Sequence, residues 1–256
     1  MLAIDWPLWL ILTMFLVALL AGWVDTLAGG GGLLTLPALM LAGLPPVSAL
    51  ATNKAQGFVG TLTATLMLLA KGQLNIVNCL PLVLAAAIGS MLGTLLIQRV
   101  DTSWLHWGIP FLLIGVAGYF LASPQVGKVT TSARQSEKIY GITAVPLIGF
   151  YDGAIGPGAG SFFAASGVML RGQTLLQATI RAKLLNFTTN VISMAVFAAA
   201  GQVAWLIALA MMLGQFCGAS LASHTMLNGG EKLIRPLVIA MCILMSCSQV
   251  YKLLFS

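Results

Sequence analysis

The sequence predicts an all-α, polytopic membrane protein made of two homologous halves with five spans each. Three observations lead to this fold class: an apolar composition, a series of helix-length apolar runs, and motifs that recur about half a chain apart. Of the 256 residues, 59% are hydrophobic and only 7% are charged, and the mean hydropathy is +0.99. Because soluble domains carry about 25% charged residues, this composition excludes a soluble enzyme or a soluble binding module.

The net charge of +6 is also explained by a membrane location. The basic residues do not cluster on any candidate soluble element, so we expect the lipid bilayer and no nucleic acid as a partner. In membrane proteins an excess of lysine and arginine marks the cytoplasmic loops. The four cysteines lie in apolar runs without metal-ligand spacing. We interpret them as small hydrophobic residues, and we predict neither a metal nor a cofactor.

Eight apolar runs have about the 20 residues that a helix needs to cross a bilayer. They cover residues 7–26, 48–70, 76–98, 104–122, 139–154, 175–199, 203–224 and 233–254. Two further apolar stretches, Leu33–Gly43 and Ser161–Leu170, are too short to cross as helices, and each follows a glycine-rich segment. Each could cross as a half-unwound span, and a re-entrant hairpin is the competing geometry.

The distribution of basic residues favours crossing for both short stretches. If both cross, seven basic residues share one side of the membrane and two lie on the other. The seven are Lys71, Lys128, Arg134, Lys138, Arg171, Lys232 and Arg235, and the two are Arg99 and Lys252. If both are re-entrant, the division is four against five and gives no orientation. We therefore predict ten spans, both termini outside, and the polar linker 123–138 inside the cell.

The chain repeats its own motifs. Gly22–Asp25, which precedes a run of four glycines, matches Gly149–Asp152 at an offset of 127 residues. After a slip of two residues, Lys54 matches Lys183. The repeats correspond to residues 1–122 and 139–256. Because five spans is an odd number, the second half enters the membrane from the opposite side, as in the inverted repeats of many secondary transporters.

The glycine-rich segments are the first candidate binding elements. They contribute Gly29, Gly30, Gly31, Gly32, Gly156 and Gly158. Consecutive glycines do not hold a helix, so each segment is predicted to break one near the bilayer centre. The helix that follows then begins with free N–H groups and the positive end of its dipole, which is a site for an anion. The spaced pairs Gly89/Gly93 and Gly214/Gly218 are interpreted as helix-packing contacts instead.

Charged residues inside the predicted spans are the second candidate elements. They are Asp25, Lys54, Asp152, Arg181 and Lys183. Such residues are energetically costly in lipid and usually face the bundle interior or a water-filled path. The alternative is a structural role, in which the lysines reach the interface along their apolar stems. The carboxylates would then pair locally, for example Asp25 with Lys54 and Asp152 with Lys183. Either aspartate is a candidate for proton coupling if it can titrate.

Amides accompany both lysines. Asn53 and Gln56 flank Lys54, while Lys183 and Asn186 share one helical face. Three basic groups, these amides and two helix N-termini outnumber two carboxylates. The charge balance therefore predicts a small anionic solute as the ligand.

The segment Asp25–Pro37, followed by Ala51–Gln56, resembles the TauE/SafE family, also called the 4-toluene sulfonate uptake permease family. The second-half segments Gly149–Gly158 and Ala182–Asn186 are similar to it too. The resemblance implies a bacterial inner-membrane carrier of sulfite, sulfonates and related organosulfur anions, mostly acting as an exporter. It also implies functional roles for the glycine segments and for Asn53, Lys54, Lys183 and Asn186. The role of Arg181 rests on the physical argument alone.

These observations predict a secondary transporter that exports small sulfur-containing anions by alternating access around a basic site near the membrane midplane. A passive anion channel is the first alternative, because broken helices and basic linings serve channels as well. An intramembrane enzyme is the second, and no nucleophile–base pair or metal cluster supports it. A homodimer is left open as an assembly.

Overall fold

The computed structural model describes residues 6–99 and 130–225, together with isolated helical positions between 232 and 243. No strand occurs within these ranges. The helices are α1 (Leu8–Ala28), α2 (Gly32–Leu41), α3 (Pro46–Ala70), α4 (Ile76–Ile97), α5 (Glu137–Ile142), α6 (Ala144–Ala154), α7 (Ala159–Arg171), α8 (Leu175–Ala199) and α9 (Trp205–Thr225). The predicted span at 104–122 lies outside the described residues, as does most of the one at 233–254.

Helices α1, α4, α8 and α9 are long and apolar enough to cross a membrane, so the chain is a multi-pass membrane protein. Helix α3 is as long as α8, but its polar run from Thr52 to Gln56 lowers its hydropathy. The span predicted at 139–154 is divided into α5 and α6 at Thr143, which forms a turn between the two helices. The expectation of an all-helical protein is therefore confirmed for the described part of the chain.

Both predicted helix breaks are present. Helix α1 ends at Gly29, which adopts the left-handed conformation with φ 77°, and Gly158 precedes α7 with φ 83°. Only glycine adopts such backbone angles without strain. The breaks are shorter than the glycine runs, because Gly32 and Gly160 are already helical.

Two apolar clusters fix the directions of the first three helices. Met14 of α1 lies in one cluster with Leu39 of α2 and Ala49 of α3. Leu27, near the end of α1, lies in another cluster with Leu68, near the end of α3. Helices α1 and α3 therefore run in the same direction. Helix α2 runs back between them, toward the end of the bundle at which α1 begins.

Helices α3 and α8 form the centre of the bundle. Each has 25 residues, and they run antiparallel, since Leu175 at the start of α8 shares a cluster with Leu68 near the end of α3. Their middle residues, Phe58 and Phe187, stack with ring centroids 5.9 Å apart. The two halves thus meet at the midpoints of two equally long helices.

Glycines allow the outer helices to approach closely. A Cβ atom at Gly93 of α4 would overlap the backbone oxygen of Phe150 in α6, and one at Gly218 of α9 would overlap the backbone oxygen of Leu19 in α1. The interpretation of these spaced glycines as packing contacts is therefore confirmed. Each contact joins one helix of the first half to one helix of the second half.

Apolar side chains face outward and polar side chains face inward. Leu12, Leu16 and Leu20 form an exposed stripe on α1, whereas Lys54 and Lys183 are fully buried. This distribution reverses that of a soluble protein, and it suits a bundle whose outer surface contacts lipid. The polar interior is where a binding site is to be sought.

Candidate functional site

A small cavity lies between the two helix breaks and the central helices α3 and α8. Its volume is about 30 Å³, enough for roughly one or two water molecules. Ten of the residues predicted from the sequence line it: Asp25, Gly29, Gly32, Asn53, Lys54, Gln56, Asp152, Gly156, Gly158 and Asn186. The starts of α2 and α7 both open onto it, as expected for helices that begin inside the bundle.

Lys54 forms an ion pair with Asp152, which belongs to the other half of the chain. The same ammonium group donates to Asn190 Oδ1 at 3.2 Å, and the second carboxylate oxygen of Asp152 accepts from the hydroxyl of Thr189. Both side chains are at most 2% exposed. The ion pair is therefore shielded from bulk solvent and has hydrogen-bond partners on both sides.

Lys183 pairs with Asp25, again across the halves. Its Nζ lies 3.6 Å from Asp25 Oδ2 and also donates to the backbone oxygen of Asp25. Asp25 Oδ1 accepts from the backbone N–H of Gly31 at 3.0 Å. Lys183 is buried and does not itself line the cavity, whereas Asp25 does. One ion pair thus links this helix break to α8.

The pairing suggested by the sequence, Asp25 with Lys54 and Asp152 with Lys183, is wrong. Each lysine pairs with the aspartate of the opposite half. The reason is tertiary, because α3 and α8 cross antiparallel at their midpoints and each carries its lysine to the helix break of the other half.

A cluster of hydrogen-bonded amides forms another wall. Gln56 Nε2 donates to Asn53 Oδ1 at 2.9 Å and to Thr35 Oγ1 at 3.2 Å, and Thr35 donates to Asn53. The oxygen Gln56 Oε1 is buried and has no hydrogen-bond partner among the described residues. The Asn53 Nδ2 group lies close to Gly32 at the start of α2. These groups offer a ligand both donors and acceptors.

The two helix breaks touch each other. Gly29 and Gly160 pack backbone against backbone, and the Ser161 hydroxyl donates to the backbone oxygen of Ala28. Gly156 lies beside the ammonium of Lys54, where an added Cβ would be 3.1 Å from Nζ. A side chain at any of these glycines would displace either the opposite break or the lysine.

Arg181 does not belong to this cavity. It pairs with Glu137 of α5 and lines a separate, larger cavity. Of the predicted glycines, Gly30 and Gly31 do not line the central cavity either, although the N–H of Gly31 contributes a hydrogen bond to Asp25. The residues missed by the sequence analysis are Thr35, Thr189 and Gln215, which carry no charge and occupy no repeated motif.

The placement of Arg181 also corrects the predicted charge balance. Two lysines face two carboxylates around the cavity, so the site has no excess of positive charge. An anion must therefore bind to amides and helix N-termini, or replace a carboxylate on one of the lysines. In the part of the chain that the structure describes, no group of three or more His, Cys, Asp or Glu side chains could hold a metal ion.

Comparison with known proteins now identifies the family. A family model described as "Sulfite exporter TauE/SafE" matches residues 14–248. The chain belongs to the TauE/SafE family. The resemblance stated from the sequence motifs is therefore confirmed, and the names of the family and of its members indicate a membrane transporter.

Similar TauE/SafE-type proteins occur in several bacteria. A "Probable membrane transporter protein ORF9" of a Sinorhizobium species is 44% identical over 90% of this chain and 88% of its own length. A "Probable membrane transporter protein" of Haemophilus influenzae is 40% identical over 94% of this chain and 95% of its own. "Probable membrane transporter protein YfcA" of Escherichia coli K12 is 41% identical over 93% and 88%. No solved structure matches the chain significantly.

Proposed function

We propose that the protein is a secondary carrier that exports small sulfur-containing anions, such as sulfite or organosulfonates, from the cytoplasm of a bacterial cell. The family description supports the substrate class. The observation that carries the proposal is the pair of ion pairs between the halves, placed at two helix breaks around one small cavity. Buried charges of this kind mark ion and substrate paths in membrane proteins.

The proposed architecture is an inverted repeat of five plus five spans in the inner membrane, with both termini periplasmic and residues 123–138 cytoplasmic. Three contacts support it: α3 and α8 run antiparallel, Phe58 stacks on Phe187, and the chain between α1 and α3 returns to the end at which α1 begins. That return is the direction expected if the stretch Leu33–Gly43 crosses the membrane.

In the proposed mechanism the anion replaces a carboxylate as the partner of a lysine. The cavity is too small for sulfite while both ion pairs are closed, so binding requires the halves to move. A displaced carboxylate that stays ionised in the interior without a counter-ion is strongly unfavourable. A proton taken up by Asp25 or Asp152 with each monovalent anion keeps the site neutral. Rocking of one half against the other then releases the anion and the proton together on the opposite side, driven by the outward concentration gradient of the anion.

Proteoliposome flux tests the proposal. Purified protein is expected to give saturable uptake of radiolabelled sulfite that depends on a proton gradient, because the displaced carboxylate must be protonated. Lys183→Met should reduce the flux at least tenfold, since one charge-assisted hydrogen bond is worth about 1.5–3 kcal/mol. Lys71→Met is the matched control, because Lys71 is an exposed lysine at the end of α3. Single-channel currents, or equal flux in both variants, would contradict a carrier of this kind.

Reporter fusions test the architecture. A fusion after Arg134 is expected to report the cytoplasm and one after Ser256 the periplasm, because five spans separate the linker from the C-terminus. A cytoplasmic reporter at Ser256 would overturn the count of ten spans.

A further inference from the structure

A second cavity, of about 940 Å³, lies at one end of the bundle, where α3 joins α4 and α8 begins. We call it the vestibule. Its lining combines apolar side chains with polar ones, among them Gln73, Asn75, Asn78, Glu137, Gln177 and Arg181. It is about thirty times larger than the central cavity, so it can admit a solute together with part of its hydration shell.

Arg181 supplies the positive charge of the vestibule. Its side chain is 14% exposed, and its guanidinium pairs with Glu137, with Nη1 lying 3.4 Å from Oε2. The buried Nε has no hydrogen-bond partner among the described residues. A guanidinium has five N–H donors, so one shared carboxylate leaves part of this group available for another acceptor.

Glu137 is shared between two arginines. Arg171 Nε donates to Glu137 Oε2 at 2.9 Å, and the Glu137 side chain is 44% exposed. Two guanidinium groups therefore face one carboxylate that can turn into water. The remaining lining residues are uncharged, and they include both amides and the apolar side chains of Leu74, Leu176 and Ile180. The chemistry of the vestibule suits an anion.

Among the described residues, the corresponding position at the opposite end of the bundle is packed. The residue 129 positions before Arg181 is Thr52, whose hydroxyl accepts from the backbone N–H of Ala204 at 3.1 Å. Around it Leu50 and Val203 belong to a packed apolar cluster. In the described part of the chain, the end with the vestibule also carries more basic residues than the opposite end, and the positive-inside rule places such an end in the cytoplasm.

We propose that the vestibule is a second anion site, which receives a hydrated sulfur-containing anion at the cytoplasmic end before the anion loses its water and enters the central cavity. Arg181 binds the anion, and Glu137 is the carboxylate that the anion displaces from it. This inference rests on the proposed export function, because it names the site at which the exported solute first binds.

A fluorescent label in the vestibule tests the proposal with sulfoacetate as the probe. Asn78, an exposed lining residue, is replaced by Cys in full-length protein whose own four cysteines are replaced by Ala. Sulfoacetate should change the fluorescence, and the half-saturating concentration should rise at least about tenfold in Arg181→Gln, because a charge-assisted hydrogen bond is lost. It should fall several-fold in Glu137→Gln, which removes the competing carboxylate, and Arg181→Lys should lie between wild type and Arg181→Gln.

Two comparisons separate a binding role from a structural one. Arg171→Gln removes the same kind of charge from the same carboxylate outside the vestibule, and it should change the half-saturating concentration by no more than about twofold. If Arg181 and Glu137 only stabilise the fold, Glu137→Gln will weaken the response as Arg181→Gln does, and the proposal is overturned. Thermal unfolding of each variant shows whether it is folded.

A further variant distinguishes anion binding in the vestibule from anion binding in the central cavity. In Lys54→Met/Asp152→Asn, which removes one whole central ion pair, the fluorescence response should persist although flux is lost. Loss of the response in this variant would place the signal at the central cavity and overturn the vestibule site. Absence of flux in the wild type, with the response retained, would instead contradict the export function and leave an anion-binding vestibule.

Discussion

The two lysine–aspartate pairs occupy matching positions in the two halves and differ in their surroundings. Asp152 is at most 2% exposed and is held by Lys54 and by the hydroxyl of Thr189. Asp25 is 15% exposed, its oxygen lies 3.6 Å from the ammonium of Lys183, and its other partner is a backbone N–H in the helix break. Lys54, Asp152 and Asp25 all line the cavity, but the first pair has more side-chain hydrogen bonds and the second pair is looser.

One substitution between the halves explains part of this difference. The residue 129 positions before Thr189 is Gly60, so the first half has no hydroxyl to hold Asp25. The partner that replaces it, the N–H of Gly31, belongs to backbone that can move with the helix break. In the proposed mechanism, the Lys54–Asp152 pair therefore mainly fixes the packing of the halves, and the Lys183–Asp25 pair is the one that an anion exchanges with first.

The largest expected effect is a loss in the free energy of unfolding when the Lys54–Asp152 pair is broken. Lys54→Met leaves the carboxylate of Asp152 buried without its counter-ion, which costs about 3–5 kcal/mol in comparable pairs. The double variant Lys54→Met/Asp152→Asn should recover most of this loss, because no unpaired charge remains. Unfolding in a denaturing detergent measures the free energy of unfolding of each variant. If the single and double variants lose the same free energy of unfolding, the unpaired charge of Asp152 does not account for the loss, and this prediction is wrong.

Breaking the Lys183–Asp25 pair should lower the free energy of unfolding by a smaller amount. Lys183→Met leaves Asp25 partly exposed and still bonded to the N–H of Gly31, so we expect a loss of about 1–2 kcal/mol together with the loss of flux described above. The same detergent titration measures it. A loss as large as that of Lys54→Met would remove the distinction between the two pairs.

The smallest expected effect tests how much the Thr189 hydroxyl stabilises the Lys54–Asp152 pair. Thr189→Ala removes one hydrogen bond from Asp152, and the free energy of unfolding should fall by about 1–2 kcal/mol. Thr188→Ala is the matched control, because the Thr188 hydroxyl bonds only its own helix at Leu184. If the variant without the Thr189 hydroxyl also binds sulfite more tightly, Asp152 has become as exchangeable as Asp25.

The sequence predicts the elements of this molecule well, because each depends on local chemistry. Apolar runs of about 20 residues locate the long helices, and glycine runs locate the breaks after Ala28 and Ala154. The burial of Lys54 and Lys183 also follows from their depth within apolar runs. The number of spans stays a prediction, since two of the expected helices fall largely outside the described residues.

Pairings between the halves could not be predicted in the same way. A helical pattern shows which residues share a face, and it does not show which helix that face meets. Arg181 lies two residues from Lys183, which places it on a different face of α8, where it meets Glu137 instead of the central cavity. Counting it with the lysines gave the site an excess of positive charge that the structure does not have.

The exchange of ion pairs between the halves has a consequence for biosynthesis. Asp152 follows Lys54 by 98 residues, and ribosomes add about 5–20 residues each second. For roughly 5–20 s the newly inserted first half holds an ammonium group in the bilayer with its counter-ion still untranslated. Neither half contains the aspartate with which its own lysine pairs, so both central ion pairs form only when α8 packs beside α3.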